Sequence, residues 1–574
     1  MRTRALIASA ALGLTVALSA TTAVAAPLTA GNPRQAGRST VSLSPVGTYA
    51  TGIFDRSAAE IVAHDPRTQR LFVVNAAAAI IDVLDVSDAT RPTKLFSIET
   101  AGVPAADGSV IPPGGSANSV AIHKGLVAIA VQAPDKTDPG WLVLTDADGK
   151  VHTAVRVGAL PDMVTFTPDG RTLLVANEGE PAEDYSRDPE GSVSLVPVGP
   201  NGRVGALRQS DVRTATFHAW DDGRQQLHAD VRVFGPTVDA AHRVSENLEP
   251  EYIVVDDRSR TAYVVLQEAN AFGVLDLARG QFTDIIPFGF KDWTLPDNVL
   301  DVSDADGRIQ LQNWPVKGMY QPDGAASYTW RGQTLLVTPN EGDSRDWAGY
   351  SEESRFRAWA NGKTVCAGSP LADWLASGNP QGITSLAQLR DNTALGRLNV
   401  TTSLGHDAAN NCLFDVYAYG ARSFSIWTTD GRQLFDSAGQ FEQAIAELDP
   451  AQFNANHTAN GAEPRSDDKG PEPESVAIGG IRGRTYAFVG LERIGGIMTW
   501  DITDPRNVFF VDYTNHRNFA AQPGTPESLD QGAEGVTFIP AQDSPTRQPM
   551  LAVGNEVSGT TTLFEITIGK RPKA

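Results

Sequence analysis

Short apolar runs separated by turn residues recur along most of the chain. The runs are rich in Val, Ile, Leu and Phe, and D-G, P-D-G and N-G turns break them at short intervals. Patterns with the 3.6-residue period of a helix are scarce. Because strand-length apolar runs bounded by such turns are typical of β-strands, the sequence predicts an all-β protein.

One phrase recurs seven times within this pattern. It opens on an acidic or amide residue, continues through an apolar strand, a turn and a second strand, and closes on a polar residue. The opening residues are Glu60, Asn118, Asp162, Glu251, Asp323, Glu474 and Glu534. The acidic closing residues are Glu178, Glu268, Glu341, Glu492 and Glu556. Most copies precede a third strand such as AIIDVLDVSD, which predicts a seven-bladed β-propeller, with a sandwich or two smaller β domains as the alternative.

The two ends of the repeat array predict how the propeller closes. The chain reaches a third strand, TTTLFEITIGK, with no fourth strand after it, while residues 40–50, TVSLSPVGTYA, form a strand before the first repeat. An N-terminal strand that completes the last blade would remove the open edge of the array. We therefore expect one propeller domain over residues 41–570.

The repeats are unevenly spaced, and the excess length predicts two insertions. A blade needs about 40 to 50 residues, so the rest must lie in loops. Residues of about 343–412 include both cysteines and a predicted helix at SLAQLRDN, and residues of about 436–462 contain the amphipathic run QFEQAIAEL. We expect these insertions to cap one face of the propeller.

The N-terminal residues predict export. Arg2 and Arg4 precede an apolar run that ends in Ala23-Val24-Ala25, the pattern of a secretory signal peptide over residues 1–25. A flexible segment is expected over residues 26–40. No later run approaches the roughly 20 apolar residues of a membrane span. With no sorting motif or hydrophobic tail in ITIGKRPKA, the protein is expected to be secreted to the extracellular medium.

The net charge and the cysteine content of the chain limit the classes of partner and the covalent links that we expect. The net charge of −21 becomes −23 once the two arginines of the signal are removed, because residues 1–25 contain no acidic residue. Nucleic acid is an unsuitable partner for such a chain, whereas cations suit it. The two cysteines, Cys366 and Cys412, are expected to form one disulfide in an exported protein, with two free thiols as the alternative.

The acidic residues of the repeats predict a metal site. In a propeller the first strands line the central channel, so their opening residues form a ring at one mouth, and antiparallel pairing returns the closing residues to the same place. Crowded carboxylates repel, and hard oxygen ligands favour calcium, with magnesium or manganese as alternatives. The predicted metal ligands are Glu60, Asp162, Glu178, Glu251, Glu268, Asp323, Glu341, Glu474, Glu492, Glu534 and Glu556. The alternative is a wet channel that tolerates polar strand starts.

Basic residues near the predicted mouth suggest an anion clamp. Lys469, Arg493 and Arg345 are the predicted catalytic residues, since cationic side chains beside a metal could hold phosphate oxygens. Arg422 and Arg465 lie near the same face in sequence. Salt bridges that relieve carboxylate repulsion are the alternative role. Zinc, serine-hydrolase and nucleotide-binding motifs do not occur in the chain.

Several long motifs resemble a known family. GALPDMVTFTPDGRTLLVANEGEP, WPVKGMYQPDGAASY, RSDDKGPEPESVAIG and GLERIGGIMTWDITDP are similar to the choice-of-anchor I domain family, and the similarity extends over residues of about 42–568. This family includes surface glycoproteins of biomineralising animals and bacterial secreted proteins described as alkaline phosphatases. The resemblance implies a single β-propeller domain.

Three functions follow as hypotheses. The first is a secreted, calcium-dependent phosphatase or phosphoesterase that acts on a small phosphorylated substrate or another anionic ligand. The protein is expected to be a monomer. The alternative is a non-catalytic calcium-binding propeller for a ligand, a glycan or a mineral surface. A lyase or lactonase that uses the same acidic site is a third hypothesis.

Overall fold

The computed structural model describes residues 39–236 and 243–570. The predicted signal peptide, residues 1–25, and residues 26–38 of the predicted flexible segment lie outside the described residues. The described chain is an all-β protein, as the apolar pattern predicts. None of its helices is long and apolar enough to span a membrane.

Within the described ranges, seven antiparallel sheets have four strands each. Sheet 1 contains Val62–Asp65, Arg70–Asn75, Ile80–Asp85 and Thr93–Glu99. Sheet 2 contains Ser116–His123, Leu126–Gln132, Pro139–Asp146 and Val151–Ala159. Sheet 3 contains Pro161–Phe166, Thr172–Asn177, Ser192–Pro197 and Arg213–Thr216. Sheet 4 contains Pro250–Val255, Thr261–Leu266, Ala271–Asp276 and Gln281–Pro287.

The remaining three sheets are discontinuous in sequence or follow long connections. Sheet 5 contains Ala326–Trp330, Gln333–Asn340, Ser423–Thr428 and Gln433–Asp436. Sheet 6 contains Pro473–Ile481, Arg484–Leu491, Ile497–Asp501 and Phe509–Thr514. Sheet 7 contains Ala533–Ile539, Met550–Asn555, Thr560–Lys570 and the N-terminal strand Ser39–Ala50. Each sheet starts on one of the seven predicted strand pairs.

The N-terminal and C-terminal strands pair with each other in sheet 7. Ser39–Ala50 runs antiparallel to Thr560–Lys570, with Leu43 opposite Ile566. The first strand of each sheet contacts the first strand of the next sheet, and the first strand of sheet 7 contacts that of sheet 1. The order of contacts therefore returns to its starting point.

The second strands are buried on both faces. In Arg70–Asn75, Leu71 and Phe72 point to opposite sides of sheet 1, yet both side chains are fully buried. Sheets that pack on both sides of each strand explain why these strands appear in the sequence as continuous apolar runs. The core thus lies between successive sheets.

A long insertion separates the second and third strands of sheet 5. It contains short strands at Asp346–Trp347, Tyr350–Ser351, Glu353–Arg355, Thr364–Val365, Asn399–Thr401, His406–Asp407, Cys412–Leu413 and Tyr417–Ala418. Its helices are Phe356–Trp359, Pro370–Ala376 and Leu386–Leu389, with a 3-10 turn at Leu395–Arg397. Cys366 and Cys412 form the expected disulfide. The helix predicted at SLAQLRDN corresponds to Leu386–Leu389, which Ser385 caps.

Other elements connect the sheets. The amphipathic run QFEQAIAEL forms the helix Gln440–Leu448 after sheet 5, as its periodicity predicts, and is followed by the 3-10 turn Pro450–Gln452. Phe290–Asp292 and Lys317–Met319 form a small sheet with Tyr417–Ala418. One further short helix is His218–Asp221. The remaining 3-10 turns are Ala76–Ala78, Pro200–Gly202, Gln209–Asp211, Val244–Glu246 and Pro526–Ser528.

Candidate metal centre

Five of the seven opening residues lie where the first strands begin, at interruptions of the ladder. The pairing register shifts around four acidic residues and one amide, namely Asp162, Glu251, Glu474, Glu534 and Asn118. A bulge bends a strand and redirects the side chain at the extra position. The same local irregularity therefore places corresponding side chains at the same point of several sheets.

The closing residues return to this point through a repeated hydrogen bond. The backbone N–H of Glu178 donates to the carbonyl oxygen of Leu160 at 2.9 Å, and that of Glu492 donates to Glu472 at 3.0 Å. The N–H of Glu556 donates in the same way to Gly532 at 2.8 Å. Each acceptor lies two residues before an opening carboxylate. Opening and closing residues are consequently neighbours, as antiparallel pairing predicts.

Among the described residues, four groups of three side chains could each hold a metal ion, because the ligand atoms within each group lie within 4.8 Å of one another. They are Glu178, Glu251 and Glu268; Asp323, Glu474 and Glu534; Glu341, Glu474 and Glu492; and His457, Glu492 and Glu556. Nine of the eleven predicted ligands belong to these groups. Glu60 and Asp162 lie outside them, and the Asn118 amide donates to Gln132 Oε1 at 3.2 Å.

Three carboxylate oxygens in these groups are buried without a hydrogen-bond partner among the described residues. They are Oε2 of Glu251, Glu268 and Glu474, in residues that are only 5–6% exposed. A buried polar atom without a partner costs about 1–3 kcal/mol, and more when the group is charged. Unpartnered oxygens inside groups of three carboxylates fit the oxygen ligands of a hard divalent cation.

Burial and mutual repulsion raise the pKa values of these acids. Burial is the largest cause at Glu60, whose pKa rises to about 8, with a further contribution from Glu556. The pKa of Asp323 rises to about 7 through burial and then through the charge of Glu341. Burial likewise raises the pKa values of Glu251, Glu474 and Glu534 well above the ordinary range. The site is thus short of positive charge around these carboxylates.

Three basic residues contact Glu472 at one side of the carboxylate groups. Arg493 Nε lies 2.9 Å from Glu472 Oε2, Lys469 Nζ lies 3.2 Å from the same atom, and Arg465 pairs with Oε1. Burial alone would raise the pKa of Glu472, but the three cations hold it below its ordinary range. Glu472 is fully buried and therefore acts as the counter-ion of this cationic cluster.

Lys469 and Arg493 join this cluster to the predicted ligands. Lys469 Nζ lies 2.5 Å from Glu341 Oε1, and Arg493 Nη1 lies 2.9 Å from Glu492 Oε1. Lys469 Nζ also donates to the carbonyl oxygen of Gly342 at 2.6 Å. Arg493 is 22% exposed, and its Nη2 has no acceptor among the described residues.

Arg345 and Arg422 have different surroundings. The guanidinium of Arg345 donates to Glu249, to Phe234 and to both oxygens of Asn247, which occupies all its N–H groups. Arg422 bonds the Glu442 carboxylate and the backbone carbonyls of three residues. Both arginines are buried. Lys469 and Arg493 form ion pairs with members of the carboxylate groups. Arg345 pairs with Glu249 instead; burial raises the pKa of Glu268, and the charge of Arg345 opposes that rise.

Sequence reasoning missed two residues of the site. His457 lies outside the repeats, in the connection after sheet 5, and its Nδ1 is 2.8 Å from Arg493 Nη1. Glu472, between Pro471 and Pro473, is not among the predicted ligands, and its backbone is left-handed with φ of 49°. The signal for Glu472 in the sequence is its position two residues before the opening residue Glu474. Leu160 and Gly532 lie at the corresponding position in other sheets.

Comparisons with known proteins point to one family. The model of the choice-of-anchor I domain matches residues 60–505. The chain is similar to gigasin-3a of Magallana gigas, with 29% identity over 32% of this chain and 68% of that protein. It is also similar to the mesenchyme-specific cell surface glycoprotein of Strongylocentrotus purpuratus, with 29% identity over 46% of this chain and 36% of that protein. This chain therefore spans about a third of the second relative's length.

Two solved structures show distant similarity. A chain of hydrazine synthase from Kuenenia stuttgartiensis superposes with a TM-score of 0.40 at 11% identity, covering 92% of this chain and 100% of that one. A streptogramin B lyase superposes with a TM-score of 0.41 at 9% identity, covering 92% of this chain and 98% of the lyase chain.

Proposed function

This chain belongs to the choice-of-anchor I domain family, and from its carboxylate groups we propose that it is an extracellular or surface protein that binds divalent cations, calcium first. The family and the surface glycoprotein among its relatives support this location. We further propose that the seven sheets are blades of one β-propeller, which Ser39–Ala50 closes. The cyclic contacts of the first strands support that architecture.

The three buried, unpartnered oxygens of Glu251, Glu268 and Glu474 are the main support for cation binding. Each lies in a group whose three ligand atoms are within 4.8 Å of one another. Calcium accepts six to eight oxygen ligands in flexible arrangements, so it suits several carboxylates better than magnesium does. Glu178, Glu251 and Glu268 would hold one ion, and Glu474 would be shared by the groups beside it.

The geometry favours a binding role over catalysis. Lys469 Nζ already donates hydrogen bonds to Glu341 and Gly342, and it lies 3.2 Å from Glu472 Oε2 in an ion pair. These partners already neutralise the positive charge of the Lys469 ammonium group, so Lys469 is poorly suited to bind an anionic substrate. We therefore propose binding of a ligand, a glycan or a mineral surface through the cation site.

A second candidate is the metal-dependent phosphoesterase. The partly exposed side chain of Arg493 favours it, because a guanidinium group can hold phosphoryl oxygens beside the carboxylate groups. A divalent cation bound there would supply Lewis acidity. In this hypothesis Arg493 binds and orients the phosphoryl group, while Glu472 keeps the guanidinium in position.

One titration separates the candidates. The mature protein is stripped with chelator and then titrated with calcium, magnesium or manganese while its melting temperature is followed. When the free cation concentration is about 100 times the Kd, binding at a single site should stabilise the protein by about 2.7 kcal/mol. Hydrolysis of p-nitrophenyl phosphate and of a phosphodiester is measured in the same samples. Stabilisation without hydrolysis supports the binding role, hydrolysis that needs the cation supports the phosphoesterase, and no stabilisation by any of the cations contradicts both.

A further inference from the structure

A cavity in the long insertion is lined by four arginines. It has a volume of about 540 Å³, and its walls include Arg355, Arg357, Arg390 and Arg397. The whole chain has a formal net charge of −21, so four guanidinium groups around one cavity run against its average charge. The cavity is separate from the carboxylate groups described above.

Two of the arginines have carboxylate partners. Arg355 Nη1 lies 3.0 Å from Asp467 Oδ2, and Arg397 Nη2 lies 2.9 Å from the same oxygen. Arg397 also forms a two-point ion pair with Asp304, with its Nε at 2.5 Å from Oδ1 and its Nη2 at 2.7 Å from Oδ2. These four side chains are therefore neutral as a group.

The other two arginines have no carboxylate oxygen within 4 Å among the described residues. Arg357 Nη1 donates to the Asn392 amide oxygen at 3.2 Å. Arg390 donates through Nε and Nη2 to the carbonyl oxygen of Arg357, at 3.1 and 3.0 Å, and through Nη2 to the Asn361 amide oxygen at 2.8 Å. Each guanidinium keeps donors without a partner among the described residues. Asp391, which lies next to Arg390 and interacts electrostatically with Arg357, brings the charge of the seven side chains to +1.

The backbone under these arginines is fixed by packing. Arg357 lies in the helix Phe356–Trp359, and Arg390 follows the helix Leu386–Leu389. Phe356, Leu389 and Leu395 beneath them are fully buried. The hydrogen bonds from Arg390 to the Arg357 carbonyl oxygen join the two helices, and both arginines line the same cavity.

We propose that this cavity binds a phosphate or sulfate monoester through Arg357 and Arg390. Guanidinium groups bind tetrahedral oxyanions through paired N–H···O bonds, and the net positive charge of these side chains suits an anionic ester. The cavity is within the size range of small-molecule sites, which leaves space for the organic part of the ester. The site is independent of the cation site proposed above.

Calorimetric titration of the full mature protein at constant ionic strength tests the proposal. The probes are glucose 6-phosphate and N-acetylglucosamine 6-sulfate, with sodium chloride as the reference anion. The test variant is Arg357→Gln/Arg390→Gln. The matched control is Arg91→Gln/Arg171→Gln, which removes the same charge from two side chains that are each 83% exposed.

The test variant should weaken binding of the better ester about tenfold or more, because each hydrogen bond to a charged group contributes about 1.5–3 kcal/mol. The control should bind like the unmodified protein, and chelator should leave the affinity unchanged. The ester that binds more tightly identifies the phosphate or the sulfate as the ligand. The proposal is wrong if neither ester binds more tightly than chloride, or if both variants lose the same affinity. Circular dichroism of both variants confirms that they are folded.

Discussion

Glu472 shows how strongly one buried carboxylate can depend on its neighbours. Its side chain is fully buried and contacts Lys469, Arg493 and Arg465. In the sequence Glu472 looks like one more acid in a charged loop. Arg493 is 21 residues away and reaches it only because the second strand of sheet 6 returns to the start of the first. Its role as a counter-ion is therefore a product of folding.

The substitution Glu472→Gln should destabilise the protein strongly. It leaves three cationic side chains around a neutral amide, and breaking a buried ion pair costs about 3–5 kcal/mol. Urea unfolding should show this decrease in the free energy of unfolding. Glu447→Gln, on the exposed side of the helix Gln440–Leu448, is the control and should change little. A Glu472→Gln protein as stable as the control would contradict the counter-ion role.

Glu474 has the opposite character. It belongs to two of the carboxylate groups, and its Oε2 is buried without a partner. We expect Glu474→Gln to leave the stability of the metal-free protein unchanged or slightly higher, because it removes a repelling charge. The same substitution should abolish most of the stabilisation by calcium.

Thermal unfolding with chelator and with calcium measures both effects of Glu474→Gln. The Glu447→Gln variant should keep the full calcium response. If Glu474→Gln keeps it as well, Glu474 is not a ligand, and the proposal that assigns it to a shared cation site is wrong.

At the scale of elements, His516 and Asp530 link sheets 6 and 7. His516 follows the last strand of sheet 6, and its Nδ1 lies 2.8 Å from Asp530 Oδ2. Asp530 Oδ1 accepts hydrogen bonds from the hydroxyl groups of Thr560 and Thr562, both at 2.8 Å. The bond to Asp530 raises the pKa of His516 above its ordinary value, although burial opposes the shift.

This raised pKa gives a signed pH dependence. A histidine with a higher pKa in the folded state stabilises the protein below its unfolded pKa of about 6.5, and the contribution is lost as the pH rises through the folded value. Urea unfolding of the wild type and of His516→Gln should therefore show a difference that is larger at about pH 5.5 than at about pH 8.5. An equal difference at both pH values would show that the imidazole charge does not contribute.

Element prediction succeeded where periodicity is local. The run QFEQAIAEL forms a helix because its apolar residues fall on one face, with Phe441, Ala444 and Ile445 buried. The seven strand pairs were likewise predicted from alternating apolar runs and turns. The bulges at the first strands could not be predicted, because a register shift depends on which neighbouring strand supplies the hydrogen bonds.

At the scale of the whole molecule, sheet 7 depends on the pairing of the N-terminal and C-terminal strands. Ser39–Ala50 covers the outer side of Thr560–Lys570 and pairs with it over most of its length. Without this strand, sheet 7 would present an unpaired edge, which is a template for association with other chains.

Deletion of residues 39–50 should therefore promote aggregation and lower the melting temperature. Light scattering during a thermal ramp measures both effects. A variant that lacks residues 571–574 is the control, because it keeps both strands. If the deletion variant scatters light and melts as the control does, the pairing contributes little to stability.

The sequence by itself determined the all-β class, the seven strand pairs and most of the acidic residues that meet at the strand starts. These features follow from local periodicity, from turn residues and from repetition, which act over short stretches of chain. Only the tertiary structure decided which acids share a group, that Arg345 is engaged by Glu249 and Asn247, and that Arg357 and Arg390 face one cavity. Those outcomes depend on side chains far apart in sequence, whose distances are fixed only when the sheets and the insertion pack together.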